Sequence, residues 1–202
     1  MRHRNTWVTS LLVLAGLVTA SPAWSQAFCS LRDPVNAIAT LVPSREGYES
    51  LVVEIESDLR RQLHFEAGLT LHAKELGKHT LYKVLTPEGR QLIVQVRPEA
   101  TRWGIIEFAW LLEESPDGKF QIADMYVQRC RTARCEAPLV DSTAASLIGR
   151  SEEENLSLLR AATPVGGDAS RAQQLDDEMR TAILSSGVKT QLLTRALAGG
   201  RL

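Results

Sequence analysis

The chain has 202 residues with 23 basic and 24 acidic side chains, a formal net charge of −1. That balance argues against a nucleic-acid partner, which would want a basic face, so none is expected. The length is ordinarily that of a single domain.

Met1 to Ser25 reads as a signal peptide. Arg2, His3 and Arg4 give a basic start, Leu11 to Val18 is an apolar run too short to span a bilayer, and Ala23-Trp24-Ser25 offers small residues for cleavage. Its removal takes away Arg2 and Arg4 and no acid, leaving 21 basic against 24 acidic side chains, a net charge of −3. The remaining stretch, 26–202, is expected to be periplasmic or secreted, and not membrane-spanning after cleavage. Three cysteines remain, Cys29, Cys130 and Cys135, and an oxidising compartment predicts one disulfide and one thiol. Closing the longer loop favours Cys29 to Cys130, with Cys135 free.

Asp33 is a natural N-cap with Pro34 at the first helical position, predicting a short helix through Ile38 that Pro43 ends. Val52, Ile55, Leu59 and Leu63 recur at threes and fours, predicting an amphipathic helix over Tyr48 to Leu63. Phe65 to Leu71 reads as a short edge strand. His72 to Leu76 reads as a helical turn closed by Gly77.

The centre of the chain, 79–131, reads as an antiparallel meander. Apolar runs are cut by Pro87-Glu88-Gly89-Arg90 and Ser115-Pro116-Asp117-Gly118, and Phe120 to Val127 follows the second turn. Ile106, Phe108, Trp110 and Leu112 point to one face of their strand. Ile105, Ala109 and Leu111 make the other nearly as apolar, with Glu107 the exception. Such a strand must be covered on both sides.

The C-terminal part, 142–198, reads as helical. Ser142 to Ile148 is a short helix stopped by Gly149, and Ser151 with Glu154 forms a capping box for a helix over Glu152 to Ala161. Thr163 to Ser170 is a helix-breaking loop. Leu175, Met179, Ile183, Leu193 and Leu197 then mark a long amphipathic segment that Gly187 ends or kinks. The fold class is therefore α+β: an antiparallel meander sheet packed by amphipathic helices on both sides, in a single domain, with the Tyr48–Leu63 helix against the sheet.

Chemistry is written faintly. His64, His72 and His79 lie eight and seven apart on different predicted elements, so they form no local metal signature. His79, at the sheet margin, is the one best placed to meet a ligand. Glu107 must pair, protonate or meet a polar ligand, and a salt bridge to Arg102 or Arg97 is the simplest reading. Trp103 and Trp110 suit a core better than a cofactor platform. Gly166 to Ser170 places small residues before a helix N-terminus, where an anion is accommodated, although a plain N-cap by Ser170 or Asp168 is the preferred reading of the local sequence. No nucleophile with its base is written out, so a hydrolase ranks last.

Leu81-Tyr82-Lys83-Val84, Trp103-Gly104-Ile105-Ile106-Glu107 and Asp117-Gly118-Lys119-Phe120-Gln121-Ile122, followed by a helix, a small-residue loop and a long helix, form a recognisable order. It resembles the periplasmic FMN-binding domain of Rnf and sodium-pumping quinone-reductase complexes, over His79 to Leu197. That family carries Ser/Thr-Gly-Ala-Thr before its last helix. This chain has Gly167-Asp168-Ala169-Ser170 there.

The resemblance implies a secreted FMN-binding-like electron carrier or accessory with a membrane-bound or periplasmic redox partner. Any flavin is expected to be non-covalent. Ser170, Gly167 and Thr163 would lie toward its phosphate, and Trp103, His79 and Glu107 are the further candidates. The alternative is a ligand-free periplasmic adaptor or assembly protein that uses its helices to contact a partner.

Overall fold

In a computed structural model, residues 33–162 and 170–198 are described. Met1 to Ser25, Cys29, Thr163 and Gly167 lie outside them. Five antiparallel strands form one sheet in sequence order: β1 Gly47–Ile55, β2 Gly77–Leu85, β3 Gln91–Thr101, β4 Gly104–Glu114 and β5 Phe120–Arg129. The two turn signals of the sequence are the β2–β3 and β4–β5 hairpins. Gly89 and Gly118 adopt φ of 75° and 76° there, conformations that favour glycine.

The expected Tyr48–Leu63 helix is corrected to a strand followed by a helix. Val53 and Ile55 are buried at a period of two, while Val52 is 58% exposed, so β1 pairs along its length with β2. α2, Ser57–Ala67, then buries Leu63 and Ala67 and ends at Gly68 with φ of 69°. The apparent helical spacing of Val52, Ile55, Leu59 and Leu63 ran across this boundary. Phe65, expected in an edge strand, lies on the last turns of α2 and is 83% exposed. The helical turn after His72 is present as a 3-10 turn, Ala73–Glu75, and Gly77 follows with φ of 94°.

Helices cover both faces of the sheet. On one side, Ile106, Phe108, Trp110 and Leu112 of β4 meet α2, α3 (Pro138–Ala145), α4 (Glu152–Ala162) and α5 (Arg171–Ala198). On the other, Ala109 and Leu111 join Val84, Leu92 and Val94 beneath α1 (Val35–Leu41). Both apolar faces of β4 are thus used as the alternation requires.

The capping box is realised: Ser151 N donates to Glu154 Oε2 at 2.8 Å, and Glu154 N to Ser151 Oγ at 3.3 Å. α5 runs unbroken for 28 residues, so Gly187 neither ends nor interrupts it. That glycine serves close approach instead, since a Cβ there would lie 2.6 Å from Leu147 Cδ1 and 3.1 Å from Trp110 Cη2.

The disulfide joins Cys130 to Cys135, not Cys29 to Cys130. Both cysteines lie on the segment leaving β5, with Cα atoms 6.3 Å apart, inside the span a disulfide bridges. Loop-closure entropy ranks how much a bridge stabilises, whereas proximity in the fold decides which bridge forms.

Candidate functional site

β3 departs from the apolar pattern of its neighbours. On the face toward α5 it carries Ile93, Gln95, Arg97 and Glu99, opposite Leu112, Trp110, Phe108 and Ile106 of β4. Gln95, Arg97 and Glu99 are only 1%, 2% and 9% exposed. Charged side chains placed this deep must be paired.

The partners come from far along the chain. Glu75, on the 3-10 turn, accepts from Arg97 Nη2 through Oε1 and from the His72 amide through Oε2 at 2.8 Å. Lys189 of α5 brings Nζ to 3.3 and 3.4 Å from the two Glu75 oxygens, and to 3.6 Å from Glu99 Oε2. Arg97 Nε stands 3.9 Å from Glu99 Oε1. The result is a buried cluster of two carboxylates and two cations drawn from three elements. His79 Nε2 lies 2.9 Å from the Glu75 carbonyl oxygen. A carbonyl only accepts, so this nitrogen carries the proton.

Burial and charge push these groups apart. Burial raises the Glu75 carboxyl, but Arg97 and Lys189 outweigh it and leave it below the usual carboxylate range. Glu99 ends above that range, because burial exceeds the pull of Lys189 and Arg97. Burial, with Arg97 nearby, lowers the His79 ring and favours its neutral form. Glu99 Oε1, Arg97 Nε and Nη1, and both Gln95 amide atoms have no hydrogen-bond partner among the described residues. Each buried polar group left so costs about 1–3 kcal/mol.

The cluster opens into a cleft of about 570 Å³. One wall is Gly68, Leu69, Thr70 and His72; the second is Glu99 to Thr101 at the end of β3, with Arg102 of the turn that follows; the third is the α5 stripe Gln174, Glu178, Thr181, Ala182, Ser185 and Lys189. Lys189 and Glu99 thus belong to both cluster and cleft. Arg102 pairs with Glu178 between two of the walls, with just over half of the arginine side chain exposed.

The sequence-derived candidates distribute unevenly around this cleft. Trp103 follows Arg102 in the β3–β4 turn, with the Arg134 guanidinium 5.9 Å from its ring and Arg134 paired to Asp176 of α5 at 2.7 Å. Ser170 is the N-cap of α5, accepting from the Gln173 amide at 3.3 Å, one turn before Gln174. His79 sits behind Glu75. Glu107 lies on the opposite face of the sheet, fully buried, with Arg129 Nη1 at 4.0 Å across β4–β5. The expected partners Arg97 and Arg102 are excluded as its salt bridge: Arg97 pairs with Phe108, so its side chain takes the other face, and Arg102 is held by Glu178.

Glu75, Glu99 and Lys189 were not singled out from the sequence. The legible signal was Gln95, Arg97 and Glu99 at every second position of a strand rich in valine; nothing local marks Lys189. Among the described residues no three His, Cys, Asp or Glu side chains are placed to hold a metal ion. No helix among them is long and apolar enough to cross a membrane. Comparison with known proteins gives no match to a protein-family model, a curated protein or a solved structure.

Proposed function

We propose that the chain is a secreted or periplasmic FMN-binding-like module, an electron carrier or accessory to a membrane-bound or periplasmic redox partner, with its flavin held non-covalently in this cleft. The observation that carries the reading is the cleft of about 570 Å³ whose lining includes Lys189 and Glu99. Its volume lies in the range of small-molecule sites, and its few convergent polar groups meet perturbed carboxyls. The arrangement suits a planar ligand with polar edges, and Arg102 supplies a cation for a phosphate. When bound, the flavin supplies one- and two-electron chemistry. The chain supplies a walled cleft with an ammonium and a carboxyl in its lining, and Trp103 next to Arg102 of that lining. Ser170 stands where the resembled family has its flavin-bearing threonine and acts as a helix cap, in keeping with a non-covalent ligand.

The test is titration of FMN with purified protein, followed by flavin fluorescence. Saturable quenching is expected for the wild type. Ser185→Trp, which fills the cleft from α5, is expected to abolish it. A wild type that leaves FMN fluorescence unchanged contradicts the reading.

A second reading, the ligand-free adaptor or assembly protein, draws on Phe65, exposed at 83% on α2. An aromatic side chain so placed suits contact with a partner. It predicts loss of partner capture on Phe65→Ser with FMN binding absent in both proteins.

A further inference from the structure

The two margins of the sheet are finished differently. At β5 the register against β4 shifts twice, and neighbouring elements take up the strand's backbone. The Ile122 carbonyl accepts from the Gly149 amide at 2.9 Å, and the Phe120 carbonyl from Gln191 Nε2 at 2.7 Å. At β1 the nine positions Gly47–Ile55 pair with β2 without a shift, and no described residue outside β2 bonds to their backbone. The strand holds no proline, lysine or bulge, the devices that blunt an edge. Among the described residues its outer rim is a run of unpaired amides and carbonyls.

The side chains along this rim suit pairing. Tyr48 and Val52 are 43% and 58% exposed, on the face of the sheet that carries α1, with Ser50 and Glu54 exposed beside them. Leu51 and Val53 point to the other face. The two acids are compensated from within, since Glu49 stands opposite Lys83 and Glu54 opposite Lys78 of β2.

A second copy of β1 matches this rim when it runs antiparallel about a two-fold axis through Val52. Val52 then faces its own copy, Leu51 faces Val53, and Glu49 faces Ile55. Ser50 faces Glu54, with a hydroxyl to donate to the carboxylate. An axis through Ser50 would instead set Glu46 against Glu54, a repulsive pair. One through Leu51 would set Val52 against Ser50 and leave the apolar pair unmade. We propose that β1 is an interface between two copies of this chain, which join edge to edge about Val52 into one continuous sheet. The contact uses the same strand from both copies, so it closes at the dimer.

A single strand edge is a small interface, so sedimentation of the purified protein up to about 1 mM is expected to show a monomer–dimer equilibrium. Val52→Lys, at an exposed position, is expected to weaken it at least about tenfold with an unchanged circular dichroism spectrum. The register is read by new cysteines in a Cys29→Ser chain, which keeps only the Cys130–Cys135 bridge. Residues directly opposite in antiparallel strands have Cα atoms about 4.5–5.5 Å apart, within disulfide reach, whereas diagonal neighbours lie about 7–8 Å apart. Val52→Cys is therefore expected to give a covalent dimer on mild oxidation, and Leu51→Cys to give none. A wild type that stays monomeric over this range overturns the proposal and leaves the edge to a strand of another protein. An equilibrium that Val52→Lys does not move overturns it as well, as does cross-linking through Leu51→Cys in place of Val52→Cys. If Val52→Lys does not fold, the wild-type equilibrium and the cysteine variants decide alone.

Discussion

Trp110 Nε1 donates to Ser186 Oγ at 2.9 Å, fastening the middle of β4 to the middle of α5 one residue before Gly187. Both residues are fully buried, so the indole N–H has no recourse to water. This bond and the glycine beside it fix how closely the long helix lies on the sheet, and hence where Lys189 stands over β3.

Ser186→Ala leaves that N–H unsatisfied and is expected to cost about 1–3 kcal/mol. Gly187→Ala gains about 1 kcal/mol of helix propensity. It also forces a methyl group against Leu147 and Trp110, and overpacking of this kind costs about 1–3 kcal/mol. The clash is expected to win, and Gly187→Val to lose more. Urea denaturation midpoints measure both, and a stabilised Gly187→Val would show that the helix and strand are not in this contact.

Ile55 and Val52 separate a strand from a helix over this stretch. Ile55 is 1% exposed and Val52 58% exposed, on opposite faces of β1. Ile55→Asp buries an unpaired charge and is expected to cost more than about 4 kcal/mol, preventing soluble expression. Val52→Asp is expected to stay within about 0.5 kcal/mol of wild type. Equal damage from both would mean that the two share one buried stripe, as a helix demands.

The buried carboxyls give opposite responses to pH. Glu75 is held low in the fold, so its contribution is present above the ordinary carboxylate range and is lost as pH falls through its folded value. Glu99 is held high. Its contribution is present on the acid side and is lost as pH rises from the ordinary carboxylate range through its folded value. Glu99→Gln should therefore gain stability relative to wild type as pH is raised from about 4 to about 7. Melting temperatures over that range measure it, and a constant difference between the two proteins would place Glu99 outside the buried cluster.

Much of the sheet was legible because its signals are local. Pro-Glu-Gly and Pro-Asp-Gly mark the hairpins, two-sided apolar alternation marks β4 as the covered strand, and Ser151 with Glu154 writes its own cap. Tyr48 to Leu63 misled because Val52, Ile55, Leu59 and Leu63 satisfy a helical period across a strand–helix boundary. Gly187 misled because helix propensity is a local quantity and its packing partners are not. The charge cluster was the least legible part. Glu75 and Lys189 are separated by 114 positions, and only the register of β3 beneath α5 brings them together. Glu107 drew notice as an acid in an apolar strand, yet strand alternation turns it away from the cleft.

The account turns on the cleft over Glu99 and Lys189 as the place where a ligand binds. Backbone amide spectra of isotope-labelled protein, recorded as FMN is added, test this most directly. The account predicts shifts concentrated at Thr70, Thr101, Arg102, Ser185 and Lys189, with Ala109, Ala123 and Tyr126 on the other face unmoved. Shifts confined to that other face, or no shifts at saturating FMN, would contradict it.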